Sequence, residues 1–267
     1  MTIKIGADPE FFLKKEDRIE SAFGVIPGTK QNPFPVEKGA IQVDGMAVEF
    51  NIEPATSSEE FTLNIDTVLM KLREMVPKDF DFSLVASAEF TKEYLDQQPP
   101  QAKMLGCQPD YDAYSGNVNL PPDEESLLRT AAGHVHLGWT DNADIYSDAH
   151  FNKCVGITKQ LDCILGLSSL LSDPDIKRRT MYGKAGAFRP KEYGVEYRVL
   201  SNYWLKDREA MVGVFRNCQV AFSDFENGID YEKGLKSRGW DVQAIINNSD
   251  TDRAYPAIED LYQKVMK

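Results

Sequence analysis

Four short apolar stretches of the chain carry polar residues two positions apart. They are Asp8 and Glu10 in "GADPEFF", Glu49, Asn51 and Glu53 in "AVEFNIEP", His134 and His136 in "GHVHLGW", and Glu196 and Arg198 in "GVEYRVL". Side chains at i and i+2 of an extended strand point to the same face. Each stretch therefore reads as a strand with one face of carboxylate, carboxamide, imidazole or guanidinium and one of Val, Phe, Ala or Leu.

The segments between these strands set the fold class. "IKIGADPEFFLKK", "RIESAFGVI" and "AIQVDGMAVEFNIEP" read as early strands, the last a hairpin turning at Asp44-Gly45. In "TSSEEFTLNIDTVLMKLREMVP" the apolar residues Phe61, Ile65, Val68, Leu69, Leu72 and Met75 recur at helical spacing. Ser57 and Glu60 form a capping-box pattern, and Pro77 ends the run. "FDFSLVASAEF" reads as a strand, "DAHFNKCVGITKQLDCILGLSSLLS" as a mostly buried helix, "KRRTMYGKAGAFRPKEYG" as a basic loop, and "DREAMVGVFRNCQVAFSDFEN" as a helix. "WDVQAIINN" and "DRAYPAIEDLYQKVM" close the chain as helices. Strand pairs separated by long helices predict an α+β fold with a largely antiparallel sheet, not alternating βαβ units. With no sharp shift in composition, residues 1–267 read as one domain, with a loop excursion over 97–124 and a helical extension over 228–267.

Composition narrows the function classes. The net charge of −12 argues against a broad nucleic-acid face, though not against a local cationic pocket. No run of 18 apolar residues is present, so no membrane span is expected, and "MTIKIGADPE" has no apolar core of a secretory signal. Cys107, Cys154, Cys163 and Cys218 form no CxxC pair, and they read as free thiols in a reducing cytosol.

The polar strand faces can be read in two ways. Simple alternation, polar side to water, accounts for any one strand. Four together point to a site, because solvent-facing strand positions favour Thr, Lys and Ser in mixture. Carboxylates with an Asn and a His suit Mg2+ or Mn2+. The lack of a thiolate set or an HExxH makes a zinc hydrolase the less natural alternative. Phosphate partners are available in Lys177, Arg178, Arg179, Lys184, Arg189 and Arg198, most of them around the Gly-containing stretch "YGKAGAFRP". There is no GxxxxGK[ST] nucleotide loop.

Together, "GADPEFFL", "DGMAVEFNIEP", "GCQPDYDAY", "GHVHLG" and "YGKAGAFRPKEYGVEYRVLSNYW" resemble the motifs of the phage-type carboxylate–amine ligases, type 2, in the glutamine synthetase and glutamate–cysteine ligase superfamily. The resemblance runs from about residue 3 to about residue 227. It implies a curved, largely antiparallel sheet with helices packed on its convex face and ATP with Mg2+ or Mn2+ on the concave one. It further implies amide or peptide bond formation through an acyl phosphate. The implied metal ligands are Asp8, Glu10, Glu49, His134 and Glu196, Asp8 standing where many relatives carry Glu. Lys184, Arg189 and Arg198 would contact the nucleotide and stabilise charge on the transferred group, with His136 and Asn51 as further cofactor contacts. Asp110 and Asp112 would position the amine. The implied partners are small-molecule or peptide carboxylates and amines, and the implied location is cytoplasmic, in a host cell if the chain is phage-encoded. A phosphotransferase on the same fold and a metal-dependent hydrolase are the alternative readings.

Overall fold

The computed structural model describes residues 3–103, 110–120 and 126–266. The strands are β1 (Lys4–Lys15), β2 (Arg18–Glu20), β3 (Phe34–Val36), β4 (Gly39–Asp44), β5 (Ala47–Ile52), β6 (Asp81–Ser83), β7 (Ser87–Glu89), β8 (Tyr111–Asp112), β9 (Leu128–Thr130), β10 (Gly133–Gly138), β11 (Ala187–Lys191) and β12 (Gly194–Tyr197). The helices are α1 (Ser58–Met75), α2 (Lys92–Gln97), α3 (Pro100–Lys103), α4 (Asp148–Leu161), α5 (Leu167–Ser169), α6 (Ile176–Met181), α7 (Arg208–Glu226), α8 (Tyr231–Lys236), α9 (Val242–Asn247) and α10 (Thr251–Asp260).

The main sheet runs β3-β4-β5-β1-β10-β12-β11-β8, with β2 and β6 on the far end of β1, and every pairing is antiparallel. A separate ribbon pairs β7 with β9. This is the mixed helix and antiparallel sheet architecture that the strand pairs and long helices predict.

Alternation explains the packing. Ile5, Ala7, Phe11 and Leu13 of β1, Val48, Phe50 and Ile52 of β5, Val135 and Leu137 of β10, and Val195 and Tyr197 of β12 are buried in one large apolar core. Against them lie α1, touching β4 and β5, and α4, touching β11 and β12, with α7 packed on both helices. Ser57 caps α1 through the Glu60 amide (3.1 Å), while the Glu60 carboxylate accepts from the Thr56 amide (2.8 Å), one residue before the expected partner. The other face of these strands is free of helices from this layer and carries the polar pairs.

The structure departs from the sequence reading in four places. The basic stretch 177–194 is not a loop: it holds most of α6 and all of β11. "FDFSLVASAEF" splits into β6 and β7, which belong to different sheets. The helix begun by α4 passes through a wider π-type turn (Asp162–Gly166) before α5. The hairpin turns at Gly45 and Met46, with Asp44 the last strand residue and Gly45 at φ +58°. Cys107 and parts of the 97–124 excursion lie outside the described residues. Cys154, Cys163 and Cys218 are free and buried, as expected.

Candidate active site

Strand register collects the polar pairs into three rows. Glu10 lies opposite Glu49, which lies opposite Gln42. Asp8 lies opposite His134. His136 lies opposite Glu196, which lies opposite Arg189. All of these side chains leave the sheet on the face away from α1 and α4.

Two sets of three donors converge there. In each of Asp8–His134–Glu196 and Glu10–Asp44–Glu49, the ligand atoms all lie within 4.8 Å of one another. In the first set, His134 Nδ1 is 3.5 Å from Asp8 and 3.7 Å from Glu196, and His136 Nε2 is 2.9 Å from Asp8. His136 Nδ1 contacts the Tyr193 hydroxyl at 2.5 Å. The buried His134 Nε2 has no hydrogen-bond partner. In the second set, Glu10 accepts the Ala132 amide (2.9 Å), Glu49 accepts from Gln42 (2.8 Å) and Asp44 pairs with Lys30 (2.8 Å). A buried imidazole whose Nδ1 stands among closely spaced carboxylates is a donor set that a hard divalent cation fits.

Electrostatics set the two groups apart. Burial, then Asp44, pushes Glu10 up to about 7. Burial and the neighbouring carboxylates, Asp8 first, push Glu49 well above the usual carboxylate range. Asp8 goes the other way: burial opposes its charge, but His136 and His134 hold it well below the usual range. Burial, then Arg198, lowers His134 to about 4, whereas Asp8 overcomes burial to raise His136. Burial and Asp8 oppose the charge of Glu196, but His136, His134 and Arg189 outweigh them and lower it. Glu196 also pairs with Arg189 (3.0 Å), Lys191 (2.8 Å) and Arg198, which is itself held by Asp110 (2.9 Å). Tyr182 stacks under the Arg198 guanidinium at 5.1 Å.

Two cavities meet at this face. One, of about 290 Å³, is lined by both donor sets together with Lys30, Arg129, Tyr182, Arg189, Lys191 and Arg198. The other, of about 620 Å³, is lined by Asn51, Ile52, Pro54, His136, Trp139, Thr140 and Tyr193. Asp8 and Glu49 line both and form the ridge between them.

Of the residues singled out from the sequence, Asp8, Glu10, Glu49, His134, Glu196, Arg189 and Arg198 come together in the smaller cavity, and Asn51 and His136 face the larger one. Asp110 joins through Arg198. Asp112 does not line either cavity: its carboxylate accepts from the Tyr114 amide and the Ser115 hydroxyl, within its own turn. Lys184 is exposed and lines neither cavity. Arg178 is buried and donates to the carbonyls of Val199 and Leu200 (both 2.8 Å), and Arg179 to those of Asp173 and Asp175, so both are structural. Lys177 sits at the surface near Glu89. Lys30, Asp44, Gln42, Arg129, Tyr182, Lys191 and Tyr193 were not singled out. Lys191 had a signal: it stands two residues from Arg189, and the i, i+2 rule finds it once 187–191 is read as a strand.

Residues 131–259 match the family model described as phage phiEco32-like COOH.NH2 ligase-type 2. The match extends past residue 227, where the recognisable motifs stop, into α10. No curated protein matches. Among solved structures, a bifunctional glutathione synthetase from Pasteurella multocida is similar at 11% identity and a TM-score of 0.40. That alignment covers 99% of this chain, which spans 48% of the synthetase, and the likeness is too slight to bear on chemistry. Residues 131–259, which supply His134, His136, Arg189, Glu196 and Arg198 to this face, are thus similar to the phage phiEco32-like COOH.NH2 ligase-type 2 family.

Proposed function

We propose that the protein is an ATP- and Mg2+- or Mn2+-dependent carboxylate–amine ligase that works through an acyl phosphate, on a curved sheet of the glutamine synthetase kind. The observation that carries this reading is the pair of three-donor sets on a ridge between two cavities of unlike character. The larger cavity, with Trp139, Tyr193, Pro54 and Ile52 in its wall, suits a nucleoside. The smaller one, lined with cations and carboxylates, suits the compact charged substrates.

Asp8, His134 and Glu196 would hold one divalent ion, and Glu10, Asp44 and Glu49 a second. Bound there, such ions neutralise the triphosphate and draw charge from its terminal phosphoryl group. The chain's own residues do the positioning. Asp110 and Tyr182 fix the Arg198 guanidinium, and Arg189 and Lys191 flank it, so three cations face the region where phosphoryl charge develops. A substrate carboxylate oxygen bonds to the γ-phosphorus as the bond to ADP breaks. The amine nitrogen then bonds to the carbonyl carbon, phosphate leaves with the carbon–oxygen electron pair, and the nitrogen loses a proton. No protein nucleophile is needed, in keeping with the free cysteines lying buried away from the site.

The test is ADP release with Mn2+ or Mg2+, a panel of small carboxylates and hydroxylamine as surrogate amine, followed by product analysis. The expected product is a hydroxamate. A stable phosphorylated acceptor with no condensed product would establish the phosphotransferase reading instead, and turnover with Zn2+ in the absence of ATP the hydrolase one. Glu49→Gln should abolish metal-dependent turnover while leaving the fold intact; a variant that unfolds while activity per folded molecule persists would make Glu49 structural.

A further inference from the structure

Asp162 is a buried acid that the ligase reading leaves unused. It opens the π-type turn that follows α4 and is wholly buried. Single π-type turns inside helices recur at functional sites. Its two oxygens take donors from two different strands. One accepts the Tyr197 hydroxyl of β12 (2.7 Å), and the other accepts the amide of Gly186 (2.7 Å), one residue before β11 begins. Gly166, in the same turn, leaves the room for this contact: a Cβ there would stand 3.0 Å from the Tyr197 hydroxyl and 3.3 Å from the Asp162 carboxylate.

These contacts lie directly behind the polar face. Tyr197 stands between Glu196 and Arg198 on β12 and points the other way, into the apolar core. β11 brings Arg189 and Lys191 to Glu196. The Gly186 carbonyl in turn accepts the Ala113 amide (2.9 Å), which ties in the segment that begins with Asp110, the partner of Arg198. One carboxylate therefore fastens, from the core side, the segments that supply Asp110, Arg189, Lys191, Glu196 and Arg198. Only its ionised form accepts both donors, one on each oxygen; a protonated acid turns one oxygen into a donor, and an asparagine has a single acceptor oxygen.

The surroundings make that charge conditional. Burial pushes Asp162 up to about 7 and Asp112 adds to the rise, against Tyr197, Tyr114 and the Gly186 amide. Around the turn stand Cys163 within it, Tyr114 and Asp112 beside β8, Tyr231 and Glu232 of α8 with Asp230 before it, Lys159 of α4 and the buried Cys218 of α7. The adjoining α5 and α9 bring no titratable side chain. Burial holds the Cys163 thiol and the Tyr114 and Tyr197 hydroxyls neutral through this range.

We propose that Asp162 is a positioning residue that fastens β11 and β12 from behind and so sets the cations Arg189, Lys191 and Arg198 for the nucleotide phosphates. It does this as a carboxylate and not as an acid, so its contribution to nucleotide affinity grows as pH rises through about 7. The proposal rests on the ligase reading.

Titration calorimetry on the full chain with Mn2+ and a non-hydrolysable ATP analogue compares wild type with Asp162→Asn in steps from about pH 6 to about pH 8.5. At the acid end the two should bind within about 2-fold of each other, since asparagine resembles the protonated acid. At the alkaline end wild type should lead by about 5-fold, the contribution of one hydrogen bond. Glu10 titrates in the same range, but it is common to both proteins, so the ratio of affinities isolates Asp162. In the ligand-free proteins the Gly186 amide resonance should titrate with a midpoint near 7 in wild type and not in the variant. If Asp162→Asn does not fold, Tyr197→Phe, which keeps the acid and removes its β12 donor, carries the calorimetric comparison. An affinity ratio that stays constant with pH makes Asp162 merely structural and overturns the assignment, as does a wild-type Gly186 amide that does not titrate. Failure of wild type to bind the analogue at any pH sinks the ligase reading, and this assignment with it.

Discussion

Glu10→Gln should make the metal-free protein more stable, and only above a definite pH. Glu10 accepts the Ala132 amide and shares its surroundings with Asp44 and Glu49. Burial, then Asp44, raises it from 4.5 to about 7. Between those values the folded state holds a proton that the unfolded chain has released. Stability therefore falls as pH rises from about 4.5 through about 7. At about 1.4 kcal/mol per pH unit, the interval corresponds to about 3 kcal/mol, present in full at low pH and lost by pH 8. Glutamine keeps the acceptor oxygen for Ala132 and carries no charge at any pH, so it removes the loss. Urea unfolding in the presence of chelator, from pH 4.5 to 8.5, should show the two proteins converging at the acid end. At pH 8 the variant should lead by about 3 kcal/mol, or about 6–10 °C in melting temperature. Glu49, raised by burial and Asp8, acts in the same direction and is relieved by the same substitution. Adding Mn2+ should then stabilise wild type more than the variant, narrowing or reversing the gap. A stability difference that does not change with pH would refute the reasoning, because it would mean that Glu10 is ionised in the folded protein throughout.

Lys184→Ala should leave metal and nucleotide affinity within about 2-fold of wild type by calorimetry, since an exposed side chain outside both cavities has no ligand to lose. Arg178→Met should cost about 2–4 kcal/mol in urea unfolding, because in the interior the Val199 carbonyl loses its arginine donor and the Leu200 carbonyl keeps only the Gly133 amide. Gly194→Ala should cost about 3 kcal/mol or more: φ is +153°, and a Cβ there would stand 2.0 Å from the Leu137 carbonyl oxygen. Melting curves within 1 °C of wild type would refute either stability claim.

The polar strand faces were legible because the period of two is a local property, readable from one stretch at a time. How the faces meet was not. Asp8 reaches His134 only through the β1–β10 register, and Glu10 reaches Glu49 only through β1–β5. Asp44 was visible as part of a turn signal, but its place beside Glu10 depends on β5 lying between β4 and β1. The basic stretch misled for a physical reason. Runs of Lys and Arg are usually solvated, yet Arg178 and Arg179 are buried because backbone carbonyls of neighbouring segments take up their donors. Arg129 gave no signal, since a lone arginine before "TAAGHVH" reveals neither its burial nor the cavity in front of it.

The long strand β1 gives the two donor sets different histories. Glu10, Asp44 and Glu49 come from three adjoining strands, β1, β4 and β5, all formed by the first 52 residues. That set can close once the first hairpin has paired with β1, early in synthesis. Asp8 sits on the same strand but has to wait for His134 and then Glu196, the partners supplied by β10 and β12. Contacts of such long sequence separation form late, after most of the chain has emerged. A nascent chain would therefore gain the acidic half of the candidate site well before the half that carries imidazole and guanidinium, and the site would be complete only after β12.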